Sequence, residues 1–293
     1  MRVFITGASG YLAWELVRQF HQVEKYDIVC ASSAPEKLRN DAHYGGTTVI
    51  GNDDIGMALS PGDVVIHTAF CRESKGDRLM ESLSFSKALF QRAAESSVKS
   101  IINISSQSVY GSGEGVLPDE QGRYSPEYLY ALAKSSSELL LDSIAAGRIG
   151  YTSVRLASLV GPSKNVPVNV LYRFVQNALE GKDIVIRGGH QRFSFIDVRD
   201  AAEAIIGLLQ LDNLEVFYNL GPETQTNIQD LAREAVDYAI SRGRPGVEIS
   251  LIEEDIPLNA GMNSQRLYNA LHWRPRYTIS DTLRDTAPYL SAL

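Results

Sequence analysis

Cysteine is almost missing from this chain: Cys30 and Cys71 are the only two among 293 residues. They lie far apart and without metal-ligand spacing, so neither a disulfide framework nor a metal site is expected. Blocks of basic residues are missing too. The formal charge is −7 at pH 7, which argues against a nucleic-acid partner while leaving room for local phosphate sites. No run of about 18 apolar residues occurs, so no membrane span is expected. The opening residues MRVFITG read as a buried strand entering a turn, with no basic segment and apolar stretch ahead of them. Internal repeats and low-complexity linkers are also lacking. The expectation is a soluble, cytoplasmic protein whose partner is a small molecule.

What is present is an alternation of short apolar runs with helix-like segments. With 44% hydrophobic residues the chain can bury one large core and a smaller one beside it. Strands are expected at 2–5, 27–31, 47–50, 63–67, 100–105 and 151–156. Helices are expected at 11–22, 78–96 and 125–146 between them. That rhythm implies an α/β fold, a Rossmann-type doubly wound parallel sheet covered on both faces. After Gly161-Pro162 the rhythm changes, and VFYNLGP reads as one more strand of the main sheet. The expected organisation is a dinucleotide-binding core over 1–160, with 191–222 returning to it. A small substrate lobe, mostly C-terminal, would come from 161–190 and 223–293. A lobe beside the carboxyl ends of parallel strands makes a cleft there.

Gly7-Ala8-Ser9-Gly10-Tyr11-Leu12-Ala13 follows the first strand and opens the first helix. Gly7 permits a tight turn, Gly10 allows a pyrophosphate to approach the backbone, and Ala13 is small enough for helix–strand packing. Gly7, Ser9, Gly10, Tyr11 and Leu12 are therefore candidate cofactor residues. The second strand ends in Ser32-Ser33, with no carboxylate before Glu36. A serine followed by Lys37 and Arg39 suits a ribose 2′-phosphate, so NADP(H) is favoured over NAD(H).

Tyr130 and Lys134 stand one helical turn apart in YLYALAK, on one face of the expected helix. An ammonium beside a phenol stabilises the phenolate and lowers its pKa, which makes the tyrosine a usable acid or base near neutrality. Ser105 and Ser106 end an apolar strand upstream. Cys71 reads as a space-filler, with no evident histidine partner, and His67, at the end of VVIH, as a packed core histidine.

Together these residues resemble the extended short-chain dehydrogenase/reductase superfamily, specifically its NAD-dependent epimerase/dehydratase group. TGASGYLA resembles the family's glycine turn, and DVVIHTA the strand that passes beside the cofactor, with Thr68 and Ala69 at its end. NISSQSVYG is similar to its serine strand, YALAK to its Tyr-x-x-x-Lys, and RLASLVGP to its sixth strand end. FSFIDVRDAAEAI resembles its return strand and helix, and LHWRPRYTISDTLRDT its C-terminal segment. The resemblance implies that Tyr130 is the catalytic acid/base and that Lys134 holds the nicotinamide ribose. It also implies that Ser106 bonds the reacting oxygen. Ser105 joins the candidate cofactor residues, although satisfying strand-end backbone groups is the favoured reading for it.

Departures from the pattern bear on substrate. The family's nucleotide-sugar enzymes usually carry an arginine where this chain has Phe193, with Arg192 one step earlier, and a one-residue shift in a strand reverses the face. Ser158 replaces an asparagine, and Gln107 and Ser108 replace the Asp-Glu pair of dehydratases, which argues against dehydration. Phe70, Arg72, Gln107, Ser158 and Arg192 are the candidate substrate residues. The leading reading is an NAD(P)-dependent epimerase or ketoreductase acting on a hydroxyl or keto carbon of a sugar or nucleotide-sugar. A reductase of a non-sugar aldehyde or ketone and a non-catalytic nucleotide sensor are the alternatives. Leu79, Leu83, Phe85, Leu89 and Phe90 give the helix at 78–96 more apolar faces than a sheet requires, so a homodimer through this helix and the one carrying Tyr130 is expected.

Overall fold

The computed structural model describes residues 1–23, 25–72, 75–113, 116–256 and 258–290. Its centre is a parallel sheet of seven strands: β1 (Arg2–Thr6), β2 (Asp27–Ser32), β3 (Thr48–Gly51), β4 (Val64–His67), β5 (Ser100–Ser106), β6 (Gly150–Leu156) and β7 (Phe217–Leu220). Their spatial order is β7-β6-β5-β4-β1-β2-β3. The chain winds outward from β1 in one direction and then in the other. The loops leaving β1 and β4 therefore part and open a crevice at the carboxyl ends of these strands.

Both faces of the sheet are covered, and strand alternation distributes the side chains between them. Val3, Ile5 and Ile66 face one core, with Leu12, Leu16 and Val17 of α1 (Tyr11–Phe20). Phe4, Val65 and Ile101 face the other. There they meet Leu89 and Phe90 of α2 (Gly76–Glu95) and Leu141 of α3 (Leu129–Ala145). α3 begins four residues later than the sequence suggests. Ser125 precedes a proline, which disfavours helical backbone, and its N–H is bonded to the Val109 carbonyl at 2.8 Å. Tyr130 thus lies in the first turn of α3, at the mouth of the crevice.

A second core belongs to the lobe. Helix α4 (Val170–Leu179) packs on the helix Ile228–Ser241 through Leu171, Val175, Leu231 and Ala235. The strands Ile184–Arg187 and Ile249–Ile252 pair in parallel beside them. Helix Gln265–Leu271 does not join this core: Met262 and Leu267 pack with the main sheet. The expected C-terminal helix is in fact two, Gln265–Leu271 and Ile279–Leu290, parted by His272 in the left-handed conformation at φ 48° and by Pro275.

Behind the crevice lies a buried ion pair. Arg155 of β6 and Glu138 of α3 are each about 1% exposed, and Arg155 Nη2 donates to Glu138 Oε2 at 2.8 Å. Arg155 also donates to the Tyr110 and Tyr124 hydroxyls and to the Glu120 carbonyl. Glu138 accepts further bonds from Ser105 and Tyr124. Burial disfavours the guanidinium charge, but Glu138 outweighs it and raises the Arg155 pKa above its ordinary value. Removing one partner strands the other charge. Arg155→Met should cost about 3–5 kcal/mol in urea unfolding, and Arg155→Met with Glu138→Leu should recover much of that loss. A single variant as stable as the parent would contradict this assignment.

Candidate active site

The turn between β1 and α1 is shaped by two glycines. Gly7 has φ +66°, and a Cβ there would lie 2.7 Å from the Ala69 Cα, so the residue is confined to glycine by conformation and by space. A Cβ on Gly10 would meet the Gly7 carbonyl oxygen at 3.0 Å. Gly10 caps α1 without any side-chain hydrogen bond. The first N–H groups of the helix thus point at the crevice as an anion cradle. Tyr11 and Ser9 tie the turn to the entry of the lobe. The Tyr11 hydroxyl donates to the Gly161 carbonyl at 2.6 Å, and Asn165 donates to the Ser9 carbonyl at 3.2 Å. Thr68, at the end of β4, donates to the Thr6 carbonyl at 2.7 Å.

One cavity of about 390 Å³ joins this turn to the upstream motifs. Gly10, Tyr11, Leu12 and Thr68 wall one side; Ser106, Tyr130 and Lys134 wall the other. Ser105 and Ser106 follow one another on β5 and so face opposite ways. The Ser105 hydroxyl is bonded to Glu138. That of Ser106 stays at the cavity and accepts from Ser108 N–H at 3.2 Å and the Ser108 hydroxyl at 2.9 Å.

Lys134 is buried, donating to the Ile104 carbonyl at 2.7 Å with its ammonium 4.0 Å from the Phe70 ring centre. Burial lowers its pKa to about 7, Glu138 opposes that shift, and Arg72 adds to it. Tyr130 is pushed up to about 12, chiefly by burial, while Arg72 and the Ser106 hydroxyl pull the other way. The expected lowering of the phenol's pKa is thus outweighed by burial. Desolvation dominates, and the ammonium is turned toward a carbonyl and weakened by its own burial. Arg72 is a cation that pulls the phenol's pKa down, and the Lys134 ammonium lies 5.9 Å from the Tyr130 ring centre.

The candidate substrate residues separate into two places. Phe70 stands edge-on to Tyr130 at 6.2 Å, and Phe70, Arg72, Gln107 and Ser158 all line the 390 Å³ cavity. Arg192 lies outside it, exposed, in a cleft of about 830 Å³ formed with the lobe. Phe193, its neighbour, stacks on Phe195 at 5.7 Å. His67 is a core histidine, bonded to Thr6 at 2.7 Å and to Ser86 at 2.8 Å. Its pKa is pushed down to about 3 by burial, with Lys134 adding to the effect. Sequence reasoning passed over Glu138 and Arg155. The available signal was spacing, since Glu138 follows Lys134 by one more helical turn. Among the described residues no cluster of His, Cys, Asp and Glu could hold a metal, and no helix is long and apolar enough to cross a membrane.

At the end of β2, the Ser32 hydroxyl is buried and accepts from the Ala34 N–H at 3.1 Å. Arg39 is paired with Glu36 and donates to the Val49 carbonyl at 3.1 Å, while Lys37 is exposed. Two of the three groups expected to receive a 2′-phosphate are therefore engaged with the protein itself.

Residues 3–221 match the NAD dependent epimerase/dehydratase family. The UDP-N-acetyl-alpha-D-glucosaminuronate decarboxylase of Bacillus cytotoxicus is 27% identical over 252 residues, 80% of this chain and 78% of that protein. Among solved structures, the UDP-glucuronic acid 4-epimerase of Bacillus cereus, in complex with UDP-glucuronic acid and NAD, superposes with a TM-score of 0.85 at 20% identity. That match covers 100% of this chain and 99% of the other. The UDP-N-acetylglucosamine 4-epimerase of Methanobrevibacter ruminantium, in complex with UDP-N-acetylmuramic acid, superposes with a TM-score of 0.86 at 23% identity over 100% and 99% of the two chains. The preference for NADP(H) inferred from Ser32 is overturned: the family is NAD-dependent and the Bacillus cereus structure holds NAD. The sequence argument took Ser32 and Arg39 to be available, whereas the fold engages both. From the glycine turn to the closing strand of the sheet, the chain belongs to the NAD dependent epimerase/dehydratase family, enzymes of the extended short-chain dehydrogenase/reductase type.

Proposed function

We propose that this enzyme epimerises a hydroxyl-bearing carbon, or reduces a keto carbon, of a sugar or nucleotide-sugar, with NAD as its cofactor. The observation that carries the reading is the shared cavity: the glycine turn and the Ser106–Tyr130–Lys134 set wall one space. Gly7, Gly10, Tyr11, Leu12 and Thr68 would hold NAD, which when bound supplies the hydride acceptor. Tyr130 takes the proton of the reacting hydroxyl and returns it to the carbonyl oxygen. Ser106 fixes that oxygen. Lys134 and Arg72 supply the positive field that the buried phenol requires to ionise. Gln107 and Ser108 carry no acidic proton, which supports epimerisation or ketone reduction over loss of water. A cytoplasmic location suits a chain with only two cysteines, neither of them in a disulfide.

A homodimer is part of the proposal, though three of the five side chains singled out from the sequence are buried within the subunit. These are Leu79, and Leu89 and Phe90 in one core with Val65, Ile101 and Leu141, while Leu83 and Phe85 are half-buried. The large apolar residues that remain exposed on the packed pair α2 and α3 are Met80, Leu129, Leu132 and Leu139. Their common exposure on adjacent helices supports a two-fold pairing.

Two outcomes are expected. Tyr130→Phe should retain NAD binding and lose about two to four orders of magnitude in turnover; wild-type turnover in this variant would remove Tyr130 from the chemistry. Light scattering should give twice the subunit mass, falling to one subunit in a Leu132→Glu, Leu139→Glu variant. A monomeric parent protein at micromolar concentration would refute the pairing.

A further inference from the structure

Lys134 is 4% exposed, and a charge so far from water has to be met by the protein. Its ammonium carries three N–H donors. Among the described residues one acceptor takes a hydrogen bond from it, the Ile104 carbonyl at 2.7 Å. No carboxylate among them pairs with it. Glu138, one turn further along α3, is held instead by Arg155 at 2.8 Å and by Ser105. What meets the ammonium is the ring of Phe70, whose centre lies 4.0 Å away, nearer than that of Tyr130 at 5.9 Å. A cation over an aromatic face is attracted by the ring's quadrupole, most strongly where water is excluded.

The ring is held in that position from both sides of its own loop. Before it, the Thr68 hydroxyl donates to the Thr6 carbonyl at 2.7 Å. After it, the Cys71 N–H donates to the Ser82 hydroxyl at 3.0 Å, and Ser82 donates in turn to the Arg78 carbonyl at 3.0 Å. The loop is thereby tied to β1 and to α2. The ring itself stands edge-on to Tyr130, with 6.2 Å between centres. The other groups that bear on Lys134 are few. Its own helix brings Glu138 and Tyr130, the loop after β4 brings Arg72, and β4 brings His67, which burial keeps neutral. Behind them Arg155 of β6 is committed to Glu138. Burial lowers the Lys134 pKa to about 7, with Glu138 opposing the shift and Arg72 adding to it. An aromatic face acts in the same sense as Glu138, since it favours the charged form.

We propose that Phe70 is a positioning residue for Lys134: its ring face, in place of a carboxylate, holds the buried ammonium at the cavity and keeps it charged. This rests on the hydride-transfer reading above, in which a charged Lys134 grips the cofactor. The sign of the effect separates it from mere space-filling. A side chain that only kept water out would, once trimmed, hydrate the amine and raise its pKa. Loss of an attractive face lowers it.

The test is a pH titration of the full-length protein by NMR of isotope-labelled lysine Cε, with the Lys134 signal identified by its loss in Lys134→Met. Phe70→Leu and Phe70→Met both keep an apolar side chain and remove the ring. Each should move the Lys134 midpoint down by about one pH unit, and Phe70→Tyr, which keeps the face, should restore it. An unchanged or raised midpoint in the two ringless variants would overturn the proposal. Calorimetry with NAD then checks the reading beneath it. Relative to the parent, Phe70→Leu should bind NAD within about twofold at about pH 5.5 and about tenfold more weakly at about pH 8. A lowered midpoint with NAD affinity unchanged at both values would uphold the hold of Phe70 on Lys134 and overturn the assignment of Lys134 to the cofactor.

Discussion

The active site depends on one buried charge pair. Arg155 and Glu138 lie beneath the crevice, shielded from water, and between them bind α3, β5 and the segment that carries Tyr110, Glu120 and Tyr124. A desolvated pair holds only if nearly every donor and acceptor is used. This one is supplied by two tyrosine hydroxyls, a serine and a backbone carbonyl, which fixes its geometry. Because Glu138 sits on α3 one turn after Lys134, whatever locates Glu138 locates the helix that presents Lys134 and Tyr130. The candidate catalytic side chains are thus positioned from behind, by two residues, Arg155 and Glu138, that do not line the cavity.

The same dryness governs the chemistry. Burial pushes Tyr130 up to about 12 and Lys134 down to about 7, the two shifts that most weaken a tyrosine base and its cationic partner. Burial therefore favours the neutral phenol and weakens the lysine's hold on its proton. A cationic neighbour counteracts this for Tyr130, and Arg72 stands where it can act, at the pocket rim. Desolvation sets the resting state, and charge brought to the pocket sets the working one.

Specificity follows from what the pocket walls offer rather than from their size. Ser106, Gln107, Ser108 and Ser158 present oxygens to the inner cavity, and Glu253 and Asp255 present them to the outer cleft. Arg72, Lys134 and the Tyr130 hydroxyl line the inner cavity as well, so its wall holds donors beside the acceptors.

Much of this was legible along the chain because it depends on local spacing. A parallel sheet follows from short apolar runs alternating with helices, and the glycine turn from Gly7 and Gly10 directly after a strand. The shared face of Tyr130 and Lys134 follows from helical periodicity alone. Other features turned on contacts between distant segments, which a one-dimensional reading does not contain. Ser32 and Arg39 look free in sequence, but Ala34, Glu36 and Val49 engage them. Leu89 and Phe90 look surplus until α2 is packed on the sheet and α3. Arg192, adjacent to the expected position, faces a different cleft from Tyr130 because strand alternation reverses faces at every residue. Composition and periodicity determined which elements form and which chemistry the chain carries. The tertiary structure decided which side chains are desolvated and which are already partnered, because burial and pairing are properties of the packed whole.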